Sequence, residues 1–171
     1  WDKTEGLLDE VLLANNTMRD VASPVTIWTK PGNPVGKITL SGLTATGVYR
    51  SAVSVESWSD LPITNVVIRN ANIEFAGGGK AEQAQQAVKG PGVDARPLPA
   101  WGIYTRNVEQ LTVEDVRLSL SKEDLRPVVF AEQTERLLFD TFKFPAVPDV
   151  KQTLVTTNVG KIILNDTKLS Q

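Results

Sequence analysis

The chain has 171 residues, 41% of them hydrophobic and 22% charged, with a net charge of −2; this fits one folded domain with a real core and excludes disorder and a strongly charge-driven binder of nucleic acid or anionic lipid. Cysteine and histidine are both absent, which excludes disulfides, thiolate nucleophiles, cysteine metal sites and imidazole bases, so any hydrolytic chemistry would have to run on Asp and Glu. No apolar run approaches the roughly 18 residues of a membrane span, and the opening Trp1–Gly6 does not read as a signal peptide.

Trp1–Glu10 stands before the first strand signal and reads as an N-terminal cap. Val11 then opens an eight-residue pattern: apolar, any, apolar, polar, small or turn-forming, any, any, apolar. It returns at Ile38, Val66, Leu111, Leu137 and Ile162, at spacings of 27, 28, 45, 26 and 25 residues. The first and third positions are apolar in all six copies, the period of a strand with one buried face. The fifth position holds Asn15, Gly42, Asn70, Asp115, Thr141 and Asp166. Asn and Asp there tolerate a left-handed or sharply turned backbone. The eighth position is apolar again.

A second apolar segment accompanies each later copy: Pro24–Ile27, Ala52–Val55, and runs opening at Ile103, Val129 and Leu154. Each coil therefore carries at least two strands, and a repeat of this kind can bury its apolar face only against its neighbours. The pattern predicts an all-β, right-handed parallel β-helix of about six coils, one domain over 1–171. At about 4.8 Å per coil the rod is on the order of 30 Å long. A leucine-rich repeat lacks its signature here.

The long spacing carries an inserted loop over 76–99. It opens with Gly77-Gly78-Gly79, contains the best helix signal at Lys80–Val88, and ends with Pro97-Leu98-Pro99. Two readings stand: an insertion tolerated in a solenoid turn, or a mobile flap that walls a binding groove. The triple glycine is not followed by the residues of a phosphate-binding loop.

Trp28, Trp58 and Trp101 lie near strand ends, where an indole stacks on a sugar ring or covers the core. Tyr104 faces outward if Ile103 faces inward. Arg106 and Arg126 suit carboxylates of an acidic polymer, or are solvated strand-edge charges. Trp101, Tyr104 and Arg106 are the candidate substrate-binding residues. Carboxylates are scattered: Glu123 and Asp124 lie in a turn-like stretch, and Glu114–Asp115 at the motif corner. No stack of Asp or Glu stands out at an outward strand position, so no catalytic pair of the glycosidase kind, no calcium cluster and no cofactor are predicted. Asn15-Asn16-Thr17 and Asn165-Asp166-Thr167 match a glycosylation sequon but fall in the turn register, where local backbone hydrogen bonds account for them.

The chain resembles the C-terminal coils of bacterial family 28 glycoside hydrolases, the polygalacturonase-like enzymes of the pectin-lyase-like β-helix superfamily. Val35–Ala45, Leu61–Asn70, Ile73–Gly79, Leu98–Asn107 and Asp124–Pro127 carry the resemblance, which spans Val11 to Leu169. It implies a periplasmic or secreted bacterial protein whose parent cleaves acidic plant polysaccharide with inversion. The family's Asn-Thr-Asp, Asp-Asp, Gly-His-Gly and Arg-Ile-Lys segments are all absent, so no catalytic residue carries over and no hydrolysis by this chain alone is expected. A non-catalytic carbohydrate-binding or structural β-helix is the alternative, and a β-helix lyase or epimerase a more distant one. An uncapped first coil would also associate end to end.

Overall fold

The fold was taken from a computed structural model, which describes residues 6–90 and 94–171. Eight strands form it: β1 (Val11–Arg19), β2 (Thr26–Thr29), β3 (Lys37–Val48), β4 (Val53–Ser57), β5 (Ile63–Phe75), β6 (Ile103–Leu120), β7 (Val129–Lys143) and β8 (Leu154–Asn165). Every pairing between them is parallel. Val11, Ile38, Val66, Leu111, Leu137 and Ile162 fall in one register row, so the six motif copies are six turns of a β-solenoid.

β6 shows how one turn is built. It bends where Asn107 (φ 50°) and Asp115 (φ 49°) adopt left-handed backbone, which divides it into three sides. We call these face A (103–106), face B (108–114) and face C (116–120). Along face B the first and third motif residues point inward; Ile38, Leu40, Val66, Ile68, Leu111, Val113, Leu137 and Phe139 are all buried in one apolar stack.

The left-handed corner between faces B and C runs the length of the rod. Asn15, Gly42, Asn70, Asp115, Thr141 and Asp166 all have positive φ, from 41° to 74°. The sequence pattern anticipated this for the four Asn and Asp members; Gly42 shares it, as does Thr141 despite its branched β-carbon. The bend also resets the alternation. The sixth motif position, read from the sequence as unconstrained, is buried in the four inner coils as Leu43, Ala71, Val116 and Phe142. Polar Asn16 and Thr167 at the end coils hid that position.

The corner between faces A and B is built in two ways. The last three coils turn on single left-handed residues, Asn107, Gln133 and Asn158. Two earlier coils use short loops closed by a hydroxyl: Thr29 donates to the Asn33 carbonyl, and Ser57 to the Leu61 carbonyl at 2.5 Å. Asn107 ties the two styles together by donating to the Ser59 carbonyl at 2.8 Å.

The ends differ. At the last coil the tail crosses the rod: the Thr153 and Leu154 amides donate to the Ser170 carbonyl, and Leu169 packs on the core. Each end strand pairs on one side only, β1 with β3 and β8 with β7. The expected cap at Trp1–Glu10 lies partly outside the described residues; Gly6–Glu10 does not cover the core, since Leu7 is 63% exposed and inward-facing Leu13 is 48% exposed.

Among its described residues the insertion holds a single 3₁₀ turn, Ala81–Gln85, in place of the expected longer helix, and no residue of that turn is buried. Both feet of the insertion are tied to one ion pair. Asp124 takes two bonds from Arg126, Nε–Oδ1 at 2.9 Å and Nη2–Oδ2 at 2.7 Å. The same carboxylate accepts the Gly79 amide at 2.9 Å, and Arg126 Nη1 donates to the Leu98 carbonyl at 3.0 Å. A β-carbon at Gly79 would sit 2.5 Å from Asp124 Oδ1 and closer still to Arg126 Nε, so a larger residue there would displace the ion pair.

Candidate functional site

Face A carries the candidate residues, and it has two outward rows. Thr26, Ser54, Tyr104, Phe130 and Val155 form one; Trp28, Glu56, Arg106, Glu132 and Thr157 form the other. The period-two alternation of short strands sets both, with Val53, Val55, Ile103, Val129 and Ala131 pointing inward to the core.

Tyr104 does point away from the main core, as its neighbour Ile103 requires, but it is not open to a ligand. Leu98 and Val88 of the insertion, with Ala52 and Phe130, enclose it in a second apolar cluster. Its hydroxyl donates to Glu132 Oε1. Burial, and then that bond to a carboxylate, push its pKa well above the usual phenol range. Trp101 is also enclosed: it is 3% exposed and meets Phe75 edge to face, with ring centroids 5.7 Å apart. Neither ring is available to stack on a sugar. The linear sequence did not reveal that the insertion folds back over the outside of this face.

Arg106 is half-buried. It pairs with Glu132 Oε2 at 2.9 Å, and its guanidinium lies 4.4 Å over the Trp58 ring. Arg126, the other arginine considered for an acidic polymer, has every side-chain nitrogen bonded internally. Burial alone would raise the pKa of Asp124, but the bonds and charge of Arg126, with the Arg126 and Gly79 amides, hold it below its ordinary value.

One row does contain stacked carboxylates that the sequence reading missed. Glu56 and Glu132 flank Arg106 in register, two coils apart, which is roughly 9.5 Å at the usual strand spacing. The 45-residue gap between motif copies concealed the alignment of Glu56 with Arg106. Glu56 is fully buried, and its Oε2 accepts from Trp58 Nε1 at 2.8 Å and from Arg96 of the insertion at 2.6 Å. The separation alone would suit an inverting pair. The environment does not, because each carboxylate is tied to its own guanidinium. The Arg96–Glu56 pair ties the insertion to the rod, and the Arg106–Glu132 pair lies within face A itself.

The wider surface offers three shallow clefts. One of about 490 Å³ lies at the A/B corner near the first coil, between Pro31–Pro34 and Ser59–Leu61. Another of about 400 Å³ lies on face B between Asn65 and Lys161, and one of about 280 Å³ lies at the B/C corner. Among the described residues no group of three or more Asp and Glu could hold a metal ion, and no helix is long and apolar enough to cross a membrane. The hydroxyl of Thr167, in the second sequon, already donates to the Asn165 carbonyl at 2.9 Å.

No family model, no curated protein and no solved structure matches this chain.

Proposed function

We propose that this chain forms terminal coils of a longer β-helix that degrades an acidic polysaccharide of the pectin type, and that it supplies rod stability rather than catalysis. The observation that carries the reading is the open edge at the first coil. β1 pairs on one side only, and Leu13 is half-exposed on its core side; at the other end the tail bonds to Thr153 and Leu154, although Leu164 of β8 is also exposed. An open parallel edge with apolar residues beside it is a template for another coil. The absent family motifs and the neutralised carboxylates of face A support the second half of the reading.

The test uses the chain alone on polygalacturonate. No release of reducing ends is expected. Release at a rate abolished by a single point mutation would overturn the reading. Sedimentation across a concentration series should show end-to-end association that Leu13→Glu suppresses; a clean monomer at high concentration counts against an unfinished edge.

A second reading, a non-catalytic carbohydrate-binding module, is favoured by the part-exposed Arg106, whose guanidinium lies over the Trp58 ring. It predicts saturable polysaccharide binding without turnover.

A further inference from the structure

The three sides of the rod differ in what they turn outward. The row at the middle of face C is polar: Thr17, Thr44, Asn72, Arg117 and Lys143. Face A has outward aromatic residues, but Val88 and Leu98 of the insertion pack over them. On face B the middle outward row runs Leu12, Thr39, Val67, Thr112, Leu138 and Ile163, apolar or β-branched on every coil. Each member is at least part-exposed, and Leu12 is 63% exposed. A sheet face that meets only water is ordinarily polar.

The rows flanking this stripe carry opposite charge. On the face A side stand Lys37, Asn65, Gln110, Arg136 and Lys161; on the face C side stand Ser41, Arg69, Glu114, Asp140 and Asn165. The three ion pairs among the described residues use none of these charges. Arg136 Nη1 donates to Gln110 Oε1 at 3.3 Å, and Asp140 accepts from Thr141 and Asn165, all uncharged groups.

We infer that two copies of this chain pack face B against face B, about a two-fold axis parallel to the rod. That axis lays the apolar stripe of one copy on the stripe of the other. It also sets each flanking row over the opposite row at the same coil height. Arg136 faces the partner's Asp140, Gln110 faces the partner's Glu114, and each contact occurs twice. Lys161 lies one coil, about 4.8 Å, from the same carboxylate. Arg69, the one cation on the acidic side, faces the partner's Asn65. A two-fold axis along the strands would instead stack cations on cations and Glu114 and Asp140 on each other, which like-charge repulsion opposes. Glu109 and Glu135 line the cleft beside Arg136 and Lys161, one residue further from the stripe, at the rim where water screens them.

At ordinary strand dimensions face B covers roughly 650 Å², so two copies bury about 1,300 Å², within the range of specific interfaces. The open first coils of both copies point the same way, so the pairing leaves each rod free to continue. The dimer therefore does not rest on the terminal-coil reading.

The test is sedimentation of the full chain over a concentration series, with Leu13→Glu in every sample to remove contacts at the open edge. This parent is expected to form a dimer and nothing larger. Arg136→Asp alone and Asp140→Arg alone should each weaken the dimer at least tenfold, because each sets like charges face to face. Mixed one to one, the two should form a heterodimer within threefold of the parent, since each supplies the charge the other lost. Mixing cannot repair a folding defect. Lys143→Asp on face C, the same change in charge as Arg136→Asp, should leave the dimer within twofold. A parent that stays monomeric overturns the inference. So do single variants that dimerise as tightly as the parent, a mixture no tighter than its components, or an equal loss with Lys143→Asp. End-to-end growth is read separately, in the chain that keeps Leu13, so the coil-edge reading can fail while the dimer stands, and the reverse.

Discussion

The B/C corner and the insertion-covered strip of face A are both ladders of polar residues repeated coil after coil, yet they are held for opposite reasons. At the corner the polar residues are chosen for backbone shape: Asn15, Asn70, Asp115 and Asp166 are exposed and share only a left-handed φ. On face A they are chosen for charge: Glu56 is buried against Arg96 of the insertion, and the part-exposed Arg106 and Glu132 pair with each other. Periodicity alone does not distinguish a conformational ladder from a chemical one. Burial and pairing do.

The sharpest way to separate them is to remove a charge that the insertion depends on. Asp124→Ala should cost about 3–5 kcal/mol in urea unfolding, because it leaves the Arg126 guanidinium buried without its partner. The pH dependence follows from the same pair. The Asp124 pKa is held below its ordinary 3.8 in the folded protein, so its contribution is fully present above that value and lost as pH falls through the lower folded value. The stability gap between wild type and Asp124→Asn should therefore be flat from neutral pH to about 4 and shrink only below.

Glu56→Gln should cost less, about 2 kcal/mol. It loses the charge-assisted bond to Arg96 but keeps an acceptor for Trp58, and Arg96 can turn toward water. Limited proteolysis at Lys89 should accelerate in the same variant. A loss under about 0.5 kcal/mol would place face A with the corner and break the distinction.

Gly42→Ala tests the corner from the other side. The glycine has φ 74°, and an added β-carbon would lie 2.6 Å from Asn15 Oδ1, so a loss of about 1–2 kcal/mol is expected. Smallest, and opposite in sign, is Thr141→Asn. Relieving a branched residue at φ 52° should raise stability by about 0.5–1 kcal/mol, read as a higher melting temperature.

The ladder that depends on shape was legible in the sequence. Asn and Asp at a fixed offset from two apolar residues state a backbone requirement locally, within eight positions, so the coil, its corner and most of its core followed. The charged strip was not legible, because Glu56 meets Arg106 across a separation of 50 residues and Arg96 reaches it from the insertion. Tyr104 shows the same limit: alternation gave its direction, but what lies over it is decided by a segment remote in the chain. Thr141 and the sixth motif position went unrecognised because each is a place where the residue type does not announce its setting.

Gly79 and Asp124 are 45 residues apart and belong to different coils, yet they occupy what is nearly one volume. A side chain at 79 would have to push the Asp124–Arg126 pair aside, so a change at either position is felt at the other.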